Sequence, residues 1–344
     1  NSPQVAALIA EILPTPHPAA CHGVWLHFKS LALRTNFNLE KRLFHGVQDM
    51  FNIIPISLEQ GLAYALAALG IAFAFRILSF PDLTVDGSFP LGGAVAARLI
   101  LEGANPVVGT LAAIAAGFIA GCCTGIFATK FKINSLLSGI LMMTMLYSIN
   151  LRVMGRANIP LITAPTIFTP MENMAISRDL PVIIFFFLMA LLCKIGMDLF
   201  LHTEYGLALR ATGDNEQMIR SLGVNTDTAT IFGLGLSNGM IALSGALIAQ
   251  DQGFSDVGMG IGLIVAGLAS IIIGEALIKP RSVVRLSLAV VVGSIIYRLI
   301  IAFGMRIGLA PTDLKIATGL MVLIALAIPA IRGVKEKKLN LRGI

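Results

Sequence analysis

Nine apolar segments, near 57–78, 89–102, 106–129, 134–154, 181–201, 227–250, 258–278, 283–305 and 314–332, dictate what this chain can become. Several reach the roughly 20 apolar residues that cross a bilayer as an α-helix. Composition agrees: 56% of residues are apolar and 13% charged, against about 25% charged in soluble domains. The reading is an all-α polytopic membrane protein with about nine transmembrane segments, and 34 glycines suit the close helix approach that packing in lipid requires.

The second segment is short, and Phe80-Pro-Asp-Leu-Thr-Val-Asp-Gly-Ser-Phe-Pro90 precedes it. Pro81 and Pro90 predict a break, since proline lacks the N–H and clashes with the preceding turn. Irregular backbone at membrane depth is tolerated only where it is buried in protein or lines a cavity. A broken second helix is therefore expected, with Asp82, Thr84, Asp86 and Ser88 on a pathway wall. Asn238 joins them as a polar residue in a Gly-rich span, 233–239, that otherwise reads as a packing face; a buried amide in lipid needs a partner.

Lys and Arg in short loops set orientation. With the tail Arg332, Lys335, Lys337, Lys338 and Arg342 cytosolic, counting back places Lys279, Arg281, Arg285, Arg210, Arg220, Lys130, Lys132 and Arg76 on the same side. After residue 50 the opposite side receives four cations against thirteen. Nine spans put the N-terminus outside; if 89–102 only dips into the membrane, it lies inside. Residues 1–49 differ in kind, being weakly periodic with Pro and His, and are read as an N-terminal extension, non-native or disordered, with the native start at Met50. Residues 50–334 form the transmembrane domain and 335–344 a basic cytosolic tail.

One connection is polar, long and helical in pattern: Glu204-Tyr-Gly-Leu-Ala-Leu-Arg-Ala-Thr-Gly-Asp-Asn-Glu-Gln-Met-Ile-Arg-Ser-Leu-Gly223. It predicts two short helices around a Thr212-Gly213-Asp214-Asn215 break, with Glu216, Gln217 and Arg220 neighbours at helical spacing. It is expected to be gripped by a cytosolic partner through Arg210, Thr212, Gly213, Asp214, Asn215, Glu216 and Arg220.

Little else carries chemistry. There is no G-x-x-x-x-G-K-[ST] loop, so the chain is not a Walker-type ATPase, and no nucleophile–base pair or metal motif is legible. The neighbours Cys122 and Cys123 read as small packing residues. Of the charges at span edges (Arg98, Glu102, Lys194, Asp198, Asp251, Glu275 and Arg298), most are expected to snorkel to the interface. Glu275 is expected to be neutralised by Lys279 and Arg281.

Three stretches in order, Leu58-Glu-Gln-Gly-Leu-Ala-Tyr-Ala-Leu-Ala-Ala-Leu-Gly70, Asp82-Leu-Thr-Val-Asp-Gly-Ser88, and Ala208-Leu-Arg-Ala-Thr-Gly-Asp-Asn-Glu216 with Leu222-Gly-Val224, followed by Ser244-Gly-Ala-Leu247, carry a resemblance. The chain resembles permease subunits of bacterial ABC importers of the branched-chain amino acid and ribose type, and within them the little-characterised branch associated with aromatic amino acids. The resemblance covers roughly residues 55–332. It implies an ATP-driven importer of a small solute, an amino acid first, in the bacterial inner membrane. Two permease copies, as a homodimer, would form the path above two ATPase subunits that use the ATP, and an extracytoplasmic binding protein would deliver substrate. This chain would itself bind no cofactor and no nucleic acid. Residues 204–223 would be the coupling helix that docks on the ATPase. The competing reading is an ion-coupled secondary transporter, which would need mid-span carboxylates or paired broken helices in two repeats.

Overall fold

The structure, a computed structural model, describes residues 54–172, 179–306, 316, 318–320 and 323. The extension 1–49, the tail 335–344 and nearly all of the expected span 314–332 lie outside the described residues.

The described chain is helical except for one short β-ribbon. Helix α1 runs over Ile54–Ile77 and closes in a π-turn, Phe73–Ile77. It is followed by α2, Val85–Leu101, then α3, Pro106–Thr129, and α4, Ser135–Met154. Strand β1, Asn158–Pro160, and the single turn α5, Thr169–Glu172, lead to α6, Asp179–His202. The polar connection forms α7, Glu204–Asp214, and α8, Glu216–Ser221. Helix α9, Thr226–Gln252, precedes β2, Phe254–Asp256, then α10, Leu263–Ile278, and α11, Val283–Arg306. The strands pair antiparallel, Ile159 opposite Ser255.

Local sequence explains the boundaries. Asn105, Asn134 and Asn225 each place a side-chain oxygen on a free N–H of the first turn of α3, α4 and α9, satisfying donors that have no intrahelical partner. Gly155 and Gly253 end α4 and α9 at φ 71° and 74°, a left-handed conformation that glycine adopts without a Cβ clash.

Among the described residues six helices (α1, α3, α4, α6, α9 and α11) are long and apolar enough to cross a membrane. Two expected spans differ in extent from the sequence reading. The segment at 258–278 is helical only from Leu263, whereas α2, with 17 residues, begins at Val85, ahead of the expected 89–102. The expected break is also displaced. Residues 78–84 are irregular, but Pro90 sits inside α2. Its missing N–H leaves the Asp86 carbonyl without a helical donor, and the chain accommodates that carbonyl against Gly260, where a Cβ would lie 2.1 Å from it.

Helix α9 is the centre of the fold: 78% of its apolar stretch is buried, against 22% for α6. Glycine makes this burial possible. Gly117, Gly121 and Gly125 recur one turn apart on α3 and face α9; a Cβ at Gly121 would stand 2.1 Å from the Leu234 carbonyl. Gly92 of α2 meets the Ala242 carbonyl on another side of α9, where a Cβ would stand at 2.0 Å. Small residues at this spacing let backbones approach where lipid gives no hydrophobic gain to association. Helix α1 is held by hydroxyls that donate to its backbone: Ser237 to Gly70 at 2.7 Å, Ser244 to Ala63 at 2.8 Å and, from α11, Ser294 to Gly61 at 2.8 Å. Helices α10 and α11 interlock through Gly274 and Gly293, each seated on the other helix's carbonyls.

Candidate functional site: an enclosed polar node and a projecting helical loop

The irregular segment before α2 carries Asp82 to the middle of α9. Asp82 Oδ1 accepts from the Thr84 backbone N–H at 2.8 Å, a local turn that caps the start of α2. Its Oδ2 accepts from Asn238 Nδ2 at 2.7 Å, and that same nitrogen donates to Leu234 O at 3.0 Å. The Thr84 and Thr124 hydroxyls lie 2.8 Å apart, and Thr124 donates to Ala120 O at 3.1 Å. Asp82, Thr84, Thr124 and Asn238 are all fully buried. Three elements, the 78–84 segment, α3 and α9, thus meet at one polar point enclosed by apolar helices. A carboxylate buried this far costs several kcal/mol unless its oxygens are bonded, and here both are. Asn238 Oδ1 is left without a partner.

Of the residues expected on a pathway wall, the structure brings together Asp82, Thr84 and Asn238 and separates the other two. Asp86 receives the N–H groups of Gly262 at 3.1 Å and Ile264 at 3.0 Å, so it caps α10, where a carboxylate complements the helix dipole. Ser88 is buried with no partner for its Oγ. In this conformation Asp82, Thr84, Ser88 and Asn238 are closed off from solvent. Sequence reading missed Thr124, Asn150, which donates to Gly87 O at 3.1 Å, and Gln250, which donates to Thr110 at 2.9 Å. The available signal was an isolated polar residue inside an apolar span.

The second feature is α7–α8. Gly206, Leu209 and Thr212 are buried while α8 buries none of its residues. Helix α7 is seated on the end of α1: a Cβ at Gly213 would lie 2.0 Å from the Ile77 carbonyl, and Gly233 of α9 faces Leu78 and Leu209. The expected four-residue break is narrower than its composition suggests. Thr212, Gly213 and Asp214 continue α7, Thr212 bonding back to Ala208 O at 2.8 Å. Asn215 alone breaks the helix, extended at φ −154° and ψ 92°, and its side chain accepts from Met218 N to start α8. Arg210 is half-buried, and Asp214, Glu216 and Arg220 are exposed.

Arg220 ties α8 to α9. It donates to Glu216 at 2.7 Å, to Thr226 Oγ1 at 2.8 Å and to Asp227 at 3.0 Å. Asp227 also pairs with Lys130, past the end of α3, at 3.1 Å. Large apolar side chains of this segment are also exposed: Tyr205 is 80% exposed, Leu222 68% and Met218 59%.

The charges in the spans depart from expectation. Glu275 pairs with Arg76 of α1 rather than with Lys279 or Arg281. Lys194 and Asp198 pair at 2.5 Å with side chains only 15% and 11% exposed, so they do not snorkel; Ser287 completes the group by donating to Asp198 at 2.7 Å. Among the described residues no cluster of His, Cys, Asp or Glu could hold a metal.

The sequence profile described as the branched-chain amino acid transport system permease component matches residues 53–327. A tyrosine transport system permease protein of Clostridioides difficile (strain R20291) is 48% identical over 278 residues, 81% of this chain and 91% of that protein. An uncharacterised protein of Rickettsia prowazekii (strain Madrid E) is 35% identical over 80% of this chain and 97% of its own. A ribose import permease protein of Escherichia coli (strain K12) is 25% identical over 67% of this chain and 70% of its own. No solved structure matches the chain.

Proposed function

The chain belongs to the branched-chain amino acid transport system permease family of ABC transporters, and from that premise we propose that it is the membrane subunit of an ATP-driven amino-acid importer. Permease components of this kind are not enzymes; ATP hydrolysis lies in a separate subunit. We place the chain in the bacterial inner membrane as a homodimer with nine spans, the short α2 starting at membrane depth. An ATPase binds the face that carries Arg76, Lys130, Arg220 and Lys279, and a substrate-binding protein meets the opposite face. The 48% identity to a tyrosine transport permease makes an aromatic amino acid the first substrate to test.

The observation that carries this reading is the form of α7–α8. It is anchored by α7, exposed at α8, and continuous through Arg220, Thr226 and Asp227 with α9, whose Asn238 holds Asp82 at the start of α2. A push on α8 is thereby delivered to the polar node at the centre of the bundle. This is the role of a coupling helix, with Arg210, Thr212, Gly213, Asp214, Asn215, Glu216 and Arg220 as its residues. The node then forms part of the path when the bundle opens.

The test is affinity purification of the tagged chain from its native membrane. An ATPase subunit is expected to accompany it, and to be lost when Glu216→Arg and Met218→Asp are combined on α8. A chain that purifies alone, or keeps its ATPase with both substitutions, contradicts the assignment.

A further inference from the structure

We propose that Arg298 is a carboxylate-recognition residue for the transported solute, parked on Tyr64 while the bundle is closed; the inference rests on the importer reading above. Arg298 lies about two turns short of the Arg306 end of α11, roughly 12 Å along the helix axis. A cation so placed ordinarily snorkels to the nearer interface. This one does the reverse. Its Cζ stands 3.6 Å from the centre of the Tyr64 ring, and Tyr64 is near the midpoint of α1, Ile54–Ile77. Ile295, a turn earlier on α11, packs on Gly61, and Tyr64 is a turn deeper along α1 than Gly61. The Arg298 side chain therefore leans toward the start of its own helix, the direction in which helical side chains tilt, and carries its charge inward.

Two observations point to an anionic acceptor. Of the cations within the spans, Arg76, Arg98 and Lys194 each meet a carboxylate; Arg298 meets none among the described residues. Its Nε is buried and donates to nothing there. A buried donor on a charged group without an acceptor is costly, and a cation held at mid-membrane marks a functional position. The stack beneath it is aromatic. Tyr64 lies on Phe89 of α2, the ring centroids 5.7 Å apart and the planes 24° from parallel. Phe89 is fully buried, whereas Tyr64 and Arg298 are half-buried.

The chemistry of the stack names the solute class. The Tyr64 ring holds only the face of the guanidinium, by cation–π attraction. The edge formed by Nε and a neighbouring Nη is the fork that donates two parallel N–H bonds to a carboxylate. A carboxylate that engages this edge draws Arg298 off the ring and uncovers an aromatic face, on which the ring of a solute stacks. The site thus suits a small carboxylate, an aromatic one before an aliphatic one. A lysine keeps the charge but not the planar fork, so the arginine itself is what the site requires.

The test uses the chain purified with its ATPase and without a binding protein. Thermal denaturation is followed with millimolar 3-(4-hydroxyphenyl)propionate, tyrosine or tyramine, which share a ring and differ in charged groups. The propionate and tyrosine are expected to raise the midpoint, since a ligand of the folded state stabilises it, and tyramine to leave it unchanged. Arg298→Lys should weaken the propionate about tenfold, the loss of one charge-assisted bond, whereas Arg285→Lys, an exposed arginine at the start of α11, should not. The wild-type comparison decides the matter even where a variant is unstable. Protection by tyramine equal to that by the propionate, protection by none of the three, or wild-type affinity in Arg298→Lys would overturn the proposal. Tyrosine uptake that proves independent of ATP would defeat the importer reading while leaving the binding result readable.

Discussion

Asp82 and Asn238 form the contact on which the interior depends. Removing the amide leaves a fully buried carboxylate short of a donor, a loss of about 2–3 kcal/mol for a bond to a charged group. Asn238→Ala is therefore expected to lower the denaturation midpoint of the purified protein. Asp82→Asn in the same background should restore part of the loss, because a neutral amide is cheaper to bury; equal losses in single and double variants would show that the two side chains do not act together. Gly121 gives a second residue-scale expectation. Any side chain there meets the Leu234 carbonyl, so Gly121→Leu should reduce folded protein in the membrane sharply, whereas Gly103→Ala, with open space around it at φ 90°, should cost little more than backbone strain. Comparable yields from both would contradict the packing account.

Helix α8 is the element on which the proposed coupling turns. It is short, buries nothing, and is held by one cap and one arginine. Arg220→Ala should leave the fold intact, because an exposed ion pair contributes only about 0–1 kcal/mol, yet disconnect α8 from Thr226 and Asp227. The expected result is normal membrane yield with transport-coupled ATP hydrolysis reduced severalfold; unchanged coupling would remove Arg220 from the pathway of transmission. Element by element, what the sequence disclosed follows the physics. The apolar lengths of α1, α3, α4, α6, α9 and α11 were legible because bilayer thickness is fixed, and α7–α8 because its polarity contrasts with its flanks. The bounds of α2 were not. Pro90 reads as a breaker in isolation, but it sits six residues into a helix where the freed Asp86 carbonyl has room against Gly260, which has no side chain to clash with it. The glycines at 117, 121 and 125 were not singled out, and their partner helix could not be, since pairing between spans is a tertiary fact. For the same reason Arg76 could not be matched with Glu275, nearly two hundred residues away.

At the scale of the whole molecule, the bundle is most deeply buried along α9 and α1, and α4, α6 and α11 carry exposed apolar side chains on their outward faces. The polar node lies inside the subunit, and the α8 part of the α7–α8 loop buries none of its residues. Sequence disclosed the permease family through the motifs at 58–70, 82–88 and 208–216; it did not disclose that the candidate wall residues are enclosed, because burial depends on which helix covers which. The measurement that tests the central claim most directly is amino-acid uptake into vesicles carrying this chain with its ATPase and binding-protein partners, with tyrosine as the first solute. The account predicts uptake that requires ATP on the ATPase side, persists when ion gradients are collapsed, and is lost with Glu216→Arg. Uptake driven by an ion gradient without ATP, and unchanged by Glu216→Arg, would contradict it.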